Sequence, residues 1–189
     1  RMEYMAALMT SVLSSIDKIS FFIKECQDSN IAVLPPDVNE SIVGFSVSPK
    51  GIRWGLGAVR NVGQGAVESI LLARKTEGPF KDLSDLCHRV DLRQVNKRVL
   101  EGLIKSGAMD DFGESRATHI AYVDHCIEAG QKASKDALSG QFGLFDEFEM
   151  GNPAFSEICS KKFPEFPKRQ LLDMEKEMLG VYLSGSPLD

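Results

Sequence analysis

No stretch of the sequence is long and apolar enough to cross a bilayer: runs such as Ile70-Leu71-Leu72-Ala73 stop far short of the roughly 20 residues required. No signal-peptide pattern opens the chain at Arg1. Cysteine is sparse, with four residues at positions 26, 87, 126 and 159. Spacings of tens of residues argue against a C-x-x-C zinc or redox motif and against a small disulfide scaffold, and they suit the cytosol. An initiator methionine is also missing and the chain stops abruptly at Ser186-Pro187-Leu188-Asp189, which reads as a fragment excised from a longer protein. What is present is 189 residues, 43% apolar and 26% charged. That is enough for one domain with a sizeable core, or for two small domains sharing an interface.

The net charge of −5 argues weakly against a nucleic-acid ligand, because phosphate affinity depends on clustered Lys and Arg. Its distribution is uneven. Residues 1–49 carry three basic and six acidic side chains, residues 50–105 eleven and six, and residues 106–189 eight and fifteen. The middle is a basic island, but any chain cut in three shows some unevenness, so motifs must decide what it means.

Apolar residues at helical spacing over 3–13 and 15–29 predict two opening helices, with Asp17 as the N-cap of the second. Pro35-Pro36 bars both a helix interior and a central strand, which sets a boundary there. Residues 41–47 alternate in the manner of a strand, Pro49-Lys50-Gly51 supplies turn chemistry, and Ile52-Arg53-Trp54 is the return strand of a small hairpin. From Leu56 onward the pattern is helical: a short helix over 57–61, a Gly-rich turn, then helices over 66–75, 83–90 and 96–106. These form two units of helix, short connection and helix, a degenerate duplication. Residues 115–137 make the longest helix, 139–167 carry little periodicity, and 168–179 form one last amphipathic helix before Gly180. The predicted fold class is mainly α with a small β-hairpin near residues 41–54.

The connection in the first unit is Val62-Gly63-Gln64-Gly65, flanked by Arg60. Glycine there permits positive φ and removes a Cβ that would block a close approach. The helix that follows opens with backbone N–H groups lacking intrahelical partners, which an anion can take, helped by the helix dipole and by Arg60. Such contacts read no bases. The bland alternative is a turn whose glycines serve packing alone. The motif resembles the helix-hairpin-helix of DNA-binding proteins, and residues 83–106 look like a second copy. Its connection, Asp91-Leu92-Arg93-Gln94-Val95-Asn96, lacks the glycine pair. There Arg93, Lys97 and Arg98 act through side chains, or the unit is structural.

The resemblance widens when the segments are read in order. Val33-Leu34-Pro35-Pro36-Asp37-Val38-Asn39-Glu40-Ser41, Arg53-Trp54-Gly55-Leu56-Gly57-Ala58, Gly78-Pro79-Phe80-Lys81-Asp82-Leu83, Val95-Asn96-Lys97-Arg98-Val99-Leu100 and Leu179-Gly180-Val181-Tyr182-Leu183-Ser184-Gly185-Ser186-Pro187-Leu188 are similar to the alpha subunits of bacterial DNA polymerase III, the C-family replicative polymerases. The resemblance implies that 1–49 are the C-terminal part of a fingers domain and 50–112 a tandem helix-hairpin-helix DNA-binding unit. It implies that 113–150 hold a long helix and a sliding-clamp-binding motif, and that 151–189 are a helical linker leading towards an oligonucleotide-binding fold.

The family's catalytic aspartates would lie in a palm that this chain does not include, so no catalytic and no metal-ligating residue is assigned here; magnesium is expected for the parent polymerase. Asp110-Asp111 reads as a solvated pair past a helix end, and His88, His119 and His125 as structural. In 139–146, Gln141-Phe142-Gly143-Leu144-Phe145 resembles the internal clamp-binding pentapeptide of bacteria, with Leu144 and Phe145 as apolar anchors and the Gln141 amide hydrogen-bonding at a pocket rim. The alternative is a satellite cluster folded back on the helices. The expected partners are double-stranded DNA, the sliding clamp (beta subunit) and other polymerase III holoenzyme subunits, with no membrane. The expected role is noncatalytic: holding duplex by its backbone without sequence specificity and tethering a replicative, DNA-directed DNA polymerase to its clamp. The alternative role is a protein–protein interaction scaffold without direct DNA contact, which the overall charge favours.

Overall fold

Two amphipathic helices begin the chain, α1 (Met2–Ser11) and α2 (Ile16–Asp28). The second starts where Ser15 Oγ accepts the Lys18 N–H, so the cap is Ser15 and Asp17 sits in the first turn, where its charge favours the dipole. Met5, Met9, Ile19, Ile23 and Cys26 form their buried faces. The structure, a computed structural model, describes residues 1–139 and 152–188.

A three-stranded sheet follows: β1 (Val33–Leu34), β2 (Ser46–Ser48) and β3 (Gly51–Arg53), in the order β1-β3-β2. The hairpin of β2 and β3 is the expected one, with Val47 opposite Ile52. Strand β1, parallel to β3, was not expected. It escapes the proline rule because it lies at an edge and ends where Pro35 begins, so no ladder N–H is missing. Residues 41–45, expected as strand, instead run alongside the next element: the carbonyls of Ile42 and Val43 accept the N–H groups of Leu56 and Gly57, each at 2.9 Å.

The remaining elements are helical. A 3-10 turn (Leu56–Ala58) replaces the short helix expected over 57–61, because Gly55 and Gly57 disfavour helix and Val59 is already extended. Then come α3 (Gln64–Glu77), α4 (Leu83–Arg89), α5 (Lys97–Lys105), a 3-10 turn (Asp110–Phe112), α6 (Arg116–Ser139), α7 (Phe155–Ile158) and α8 (Lys168–Leu179). Asp82 and Asn96 cap α4 and α5 with their side chains. Helix α6 packs along α4 and α5, and α8 packs on α5. Short α7, in a stretch that showed little periodicity, is tied to α4 by Phe155 N–H to Asp82 Oδ2 at 2.9 Å.

One hydrophobic cluster runs from α1 to α8, with Trp54, Leu56, Ile70, Leu83, Leu86, Leu100, Leu103 and Ile104 fully buried. Trp54 anchors the first hairpin: its indole N–H donates to the Ala58 carbonyl at 3.2 Å while its ring packs on Phe45. All four cysteines are free, and Cys26, Cys87 and Cys126 are core residues. Burial pushes the Cys126 thiol up to about 12. Among the described residues no helix is long and apolar enough to cross a membrane.

Candidate nucleic-acid interface

The two expected hairpins are both present and share one plan. Val62 and Val95 are buried residues immediately before the N-caps Gly63 and Asn96, and Val67 and Leu100 stand four positions into the helices. That is the spacing of a hydrophobic staple, which fixes how each chain segment enters its helix. Gly63 therefore corresponds to Asn96, and Gly65 to Arg98.

In the first hairpin the glycines act differently from the sequence expectation. Positive φ falls on Asn61 (φ 71), whereas Gly63 has φ −78 and Gly65 lies inside α3. Gly63 is exposed, and a Cβ there would meet no atom within 4 Å. It provides no side-chain cap, and the first hydrogen-bonded amide of the helix is Val67, donating to the Gly63 carbonyl at 3.1 Å. Among the described residues no acceptor takes the N–H groups of Gln64, Gly65 or Ala66. The Gln64 side chain turns away to Glu68, at 3.0 Å. The result is a dipole-reinforced set of donors behind the exposed Gly63 and Gln64, with Gly65 half-buried and Ala66 buried.

The second hairpin is closed to that chemistry in part. Asn96 Oδ1 accepts the Val99 N–H at 3.0 Å, leaving only the Lys97 and Arg98 amides of α5 without an acceptor among the described residues. Its cations are unequal. Lys97 Nζ lies 2.9 Å from Asp124 of α6, whose charge and hydrogen bond raise the ammonium pKa. Arg93 pairs with Asp91 two residues earlier, at 3.2 Å, and both are exposed. Arg98 and, in the first hairpin, Arg60 are exposed and make no side-chain hydrogen bond or ion pair among the described residues. The Arg60 backbone is held, its N–H donating to the Met178 carbonyl of α8 at 2.8 Å.

Part of the basic island is structural. Arg89 donates to the carbonyls of Ala73 and Gly78 and lies 4.5 Å over the Phe80 ring, closing the C-terminal end of α3. Arg74 donates to the carbonyls of Val38 and Ser41. Sequence reasoning missed an acid pair beside them, a buried aspartate facing an exposed one. Asp37, 6% exposed, faces Asp111, and burial together with that neighbour pushes its carboxyl up to about 6. Asp110 is engaged by Arg116, Nε to Oδ1 at 3.0 Å and Nη2 to Oδ2 at 2.8 Å. Among the described residues no group of three or more His, Cys, Asp or Glu side chains is placed to hold a metal ion.

His119 is buried between the rings of Phe112 and Phe155, its pKa lowered by desolvation. His88 Nδ1 lies 2.7 Å from the Ser84 carbonyl, and the His125 ring sits tilted against Tyr122, with centroids 5.5 Å apart. The residues Gln141, Phe142, Gly143, Leu144 and Phe145 lie outside the described residues.

Comparison with known proteins agrees with this geometry. A family model described as a helix-hairpin-helix motif matches residues 30–119. A DNA polymerase III subunit alpha of Vibrio cholerae is 42% identical over 99% of this chain and 16% of its own length. Its namesakes from Bacillus subtilis and Mycobacterium tuberculosis are 44% and 40% identical over 98% and 99% of this chain, again 16% of their length. The chain thus spans about a sixth of the relatives it matches. From the paired hairpins to its final residues it belongs to the family of bacterial DNA polymerase III alpha subunits.

Proposed function

We propose that this chain is a noncatalytic part of a replicative, DNA-directed DNA polymerase that holds duplex product by its backbone and, through 141–145, tethers the enzyme to the sliding clamp. The reading makes it a cytoplasmic component of the polymerase III holoenzyme, with magnesium serving chemistry elsewhere in the parent protein. The observation that carries it is the α3 N-terminus behind Gly63, whose first amides have no acceptor among the described residues, with the guanidiniums of Arg60 and Arg98, unpaired among those residues, in the two hairpins. All of these groups are donors that backbone phosphates satisfy, and phosphate contacts carry no sequence information, so binding is independent of sequence and compatible with sliding. Weak DNA and clamp contacts on one chain reinforce one another by effective concentration.

A duplex titration tests the DNA part. With about two phosphates neutralised by side chains, affinity falls about tenfold between 50 and 200 mM salt and is the same for unrelated duplex sequences. No binding at low salt would favour the scaffold alternative. For the clamp part, Leu144→Ala with Phe145→Ala abolishes clamp binding and leaves duplex affinity unchanged; unchanged clamp affinity would sink that assignment.

A further inference from the structure

Each hairpin loop rests on the second helix of the other hairpin, and each does so at a glycine. The loop of the second hairpin meets α3: the Asp91 N–H donates to Ser69 Oγ at 2.8 Å, and a Cβ on Gly65 would overlap the Gln94 carboxamide oxygen. The loop of the first meets α5: a Cβ on Gly102 would stand 3.1 Å from the Arg60 carbonyl oxygen and 3.9 Å from Asn61 Cβ. Gly65 and Ser69 are one helical turn apart, so a single face of α3 receives the second loop. The two contacts are reciprocal, and they flank the exposed Arg60 in one loop, the exposed Arg98 in the other hairpin, and the α3 amides of 64–66, which have no acceptor among the described residues.

We propose that Ser69 and Gly102 are positioning residues, which hold the two hairpin loops against each other's helices so that Arg60, Arg98 and the α3 amides meet a duplex as one preformed surface. This rests on the backbone-binding reading given above. A preformed surface loses less freedom on binding than two hairpins that must be brought into register, so the cations act together.

A double-mutant cycle on the 189-residue chain, read by duplex affinity and its salt slope, tests this. In the unmodified chain Arg98→Ala weakens duplex binding about fivefold and lowers the salt slope by about one. With Gly102→Val, which pushes the Arg60 loop off α5, binding is weaker and Arg98→Ala costs less than about twofold more, because the two hairpins no longer engage together. Ser69→Ala, which removes only the acceptor for the Asp91 amide, shifts the cycle in the same direction and covers the case in which the valine variant does not fold. Equal cost of Arg98→Ala in all three backgrounds overturns the positioning role and leaves the backbone-binding reading standing. Failure of the unmodified chain to bind duplex at low salt overturns both.

Discussion

At the scale of single residues, the chain separates glycines and charges that look alike in sequence. Gly63 and Gly65 form one G-x-G, yet one faces open space and the other the Gln94 side chain. Lys97 and Arg98 are adjacent cations, yet one is paired with Asp124 and the other is not. Nothing in the local pattern distinguishes them, because the deciding partners lie 27 and 29 residues away, on other elements. The same holds for Asp37 and Asp111, which lie far apart in the sequence, the latter read as half of a solvated pair past a helix end. Their meeting places a carboxyl with a raised pKa in the segment between β1 and β2, where Val38 N–H also bonds the Ala108 carbonyl and Arg74 holds the Val38 and Ser41 carbonyls.

The raised Asp37 pKa carries a sign. Its folded-state value of about 6 lies above the ordinary 3.8, so the protonated acid is favoured by folding. The associated stability is fully present below the unfolded value and is lost as pH rises through about 6, to the extent of about 3 kcal/mol. Asp37→Asn keeps a donor towards Asp111 without the charge. Denaturant melts across pH 4–8 are expected to show the unmodified chain losing stability over that window and the Asn variant losing much less, with the variant more stable at pH 8.

At the scale of elements, helices with clear periodicity and an end signal were legible. Helix α8 spans Lys168–Leu179 as expected, stopped by Gly180 in the left-handed region. Elements that depend on tertiary partners were not: β1 exists because β3 lies beside it, α7 because Asp82 accepts the Phe155 amide, and the first helix of hairpin one contracts to a turn held by the carbonyls of Ile42 and Val43. The junction of α5, α6 and α8 is another such feature. Buried Arg116 binds Asp110 and the Lys105 carbonyl, and lies 3.7 Å from Glu175, itself 3% exposed and accepting the N–H groups of Leu183 and Ser184. Removing one member of a buried charge network leaves the others uncompensated. Arg116→Met is therefore expected to cost about 3–5 kcal/mol and to lower the thermal midpoint of the whole chain, measured by calorimetry. An unchanged midpoint would show that Glu175 and Asp110 need no counter-charge there.

At the scale of the whole molecule, the basic island of the sequence is a charge count that folding redistributes. Arg53, Arg74 and Arg89 donate to backbone carbonyls, and Lys97 and Arg93 have acidic partners, so the outward positive field is narrower than eleven cations imply. What is left is compatible with the weak, salt-sensitive duplex attachment proposed above. The α3 amides are the centre of the proposed duplex contact. Backbone amide shifts of Gln64, Gly65 and Ala66, followed by NMR as duplex DNA is added, test it most directly. They are predicted to move most in the chain, saturating with the Arg60 and Arg98 signals, and to stay still in a Gly63→Val variant that remains folded; a duplex that binds while those three amides do not move would contradict it.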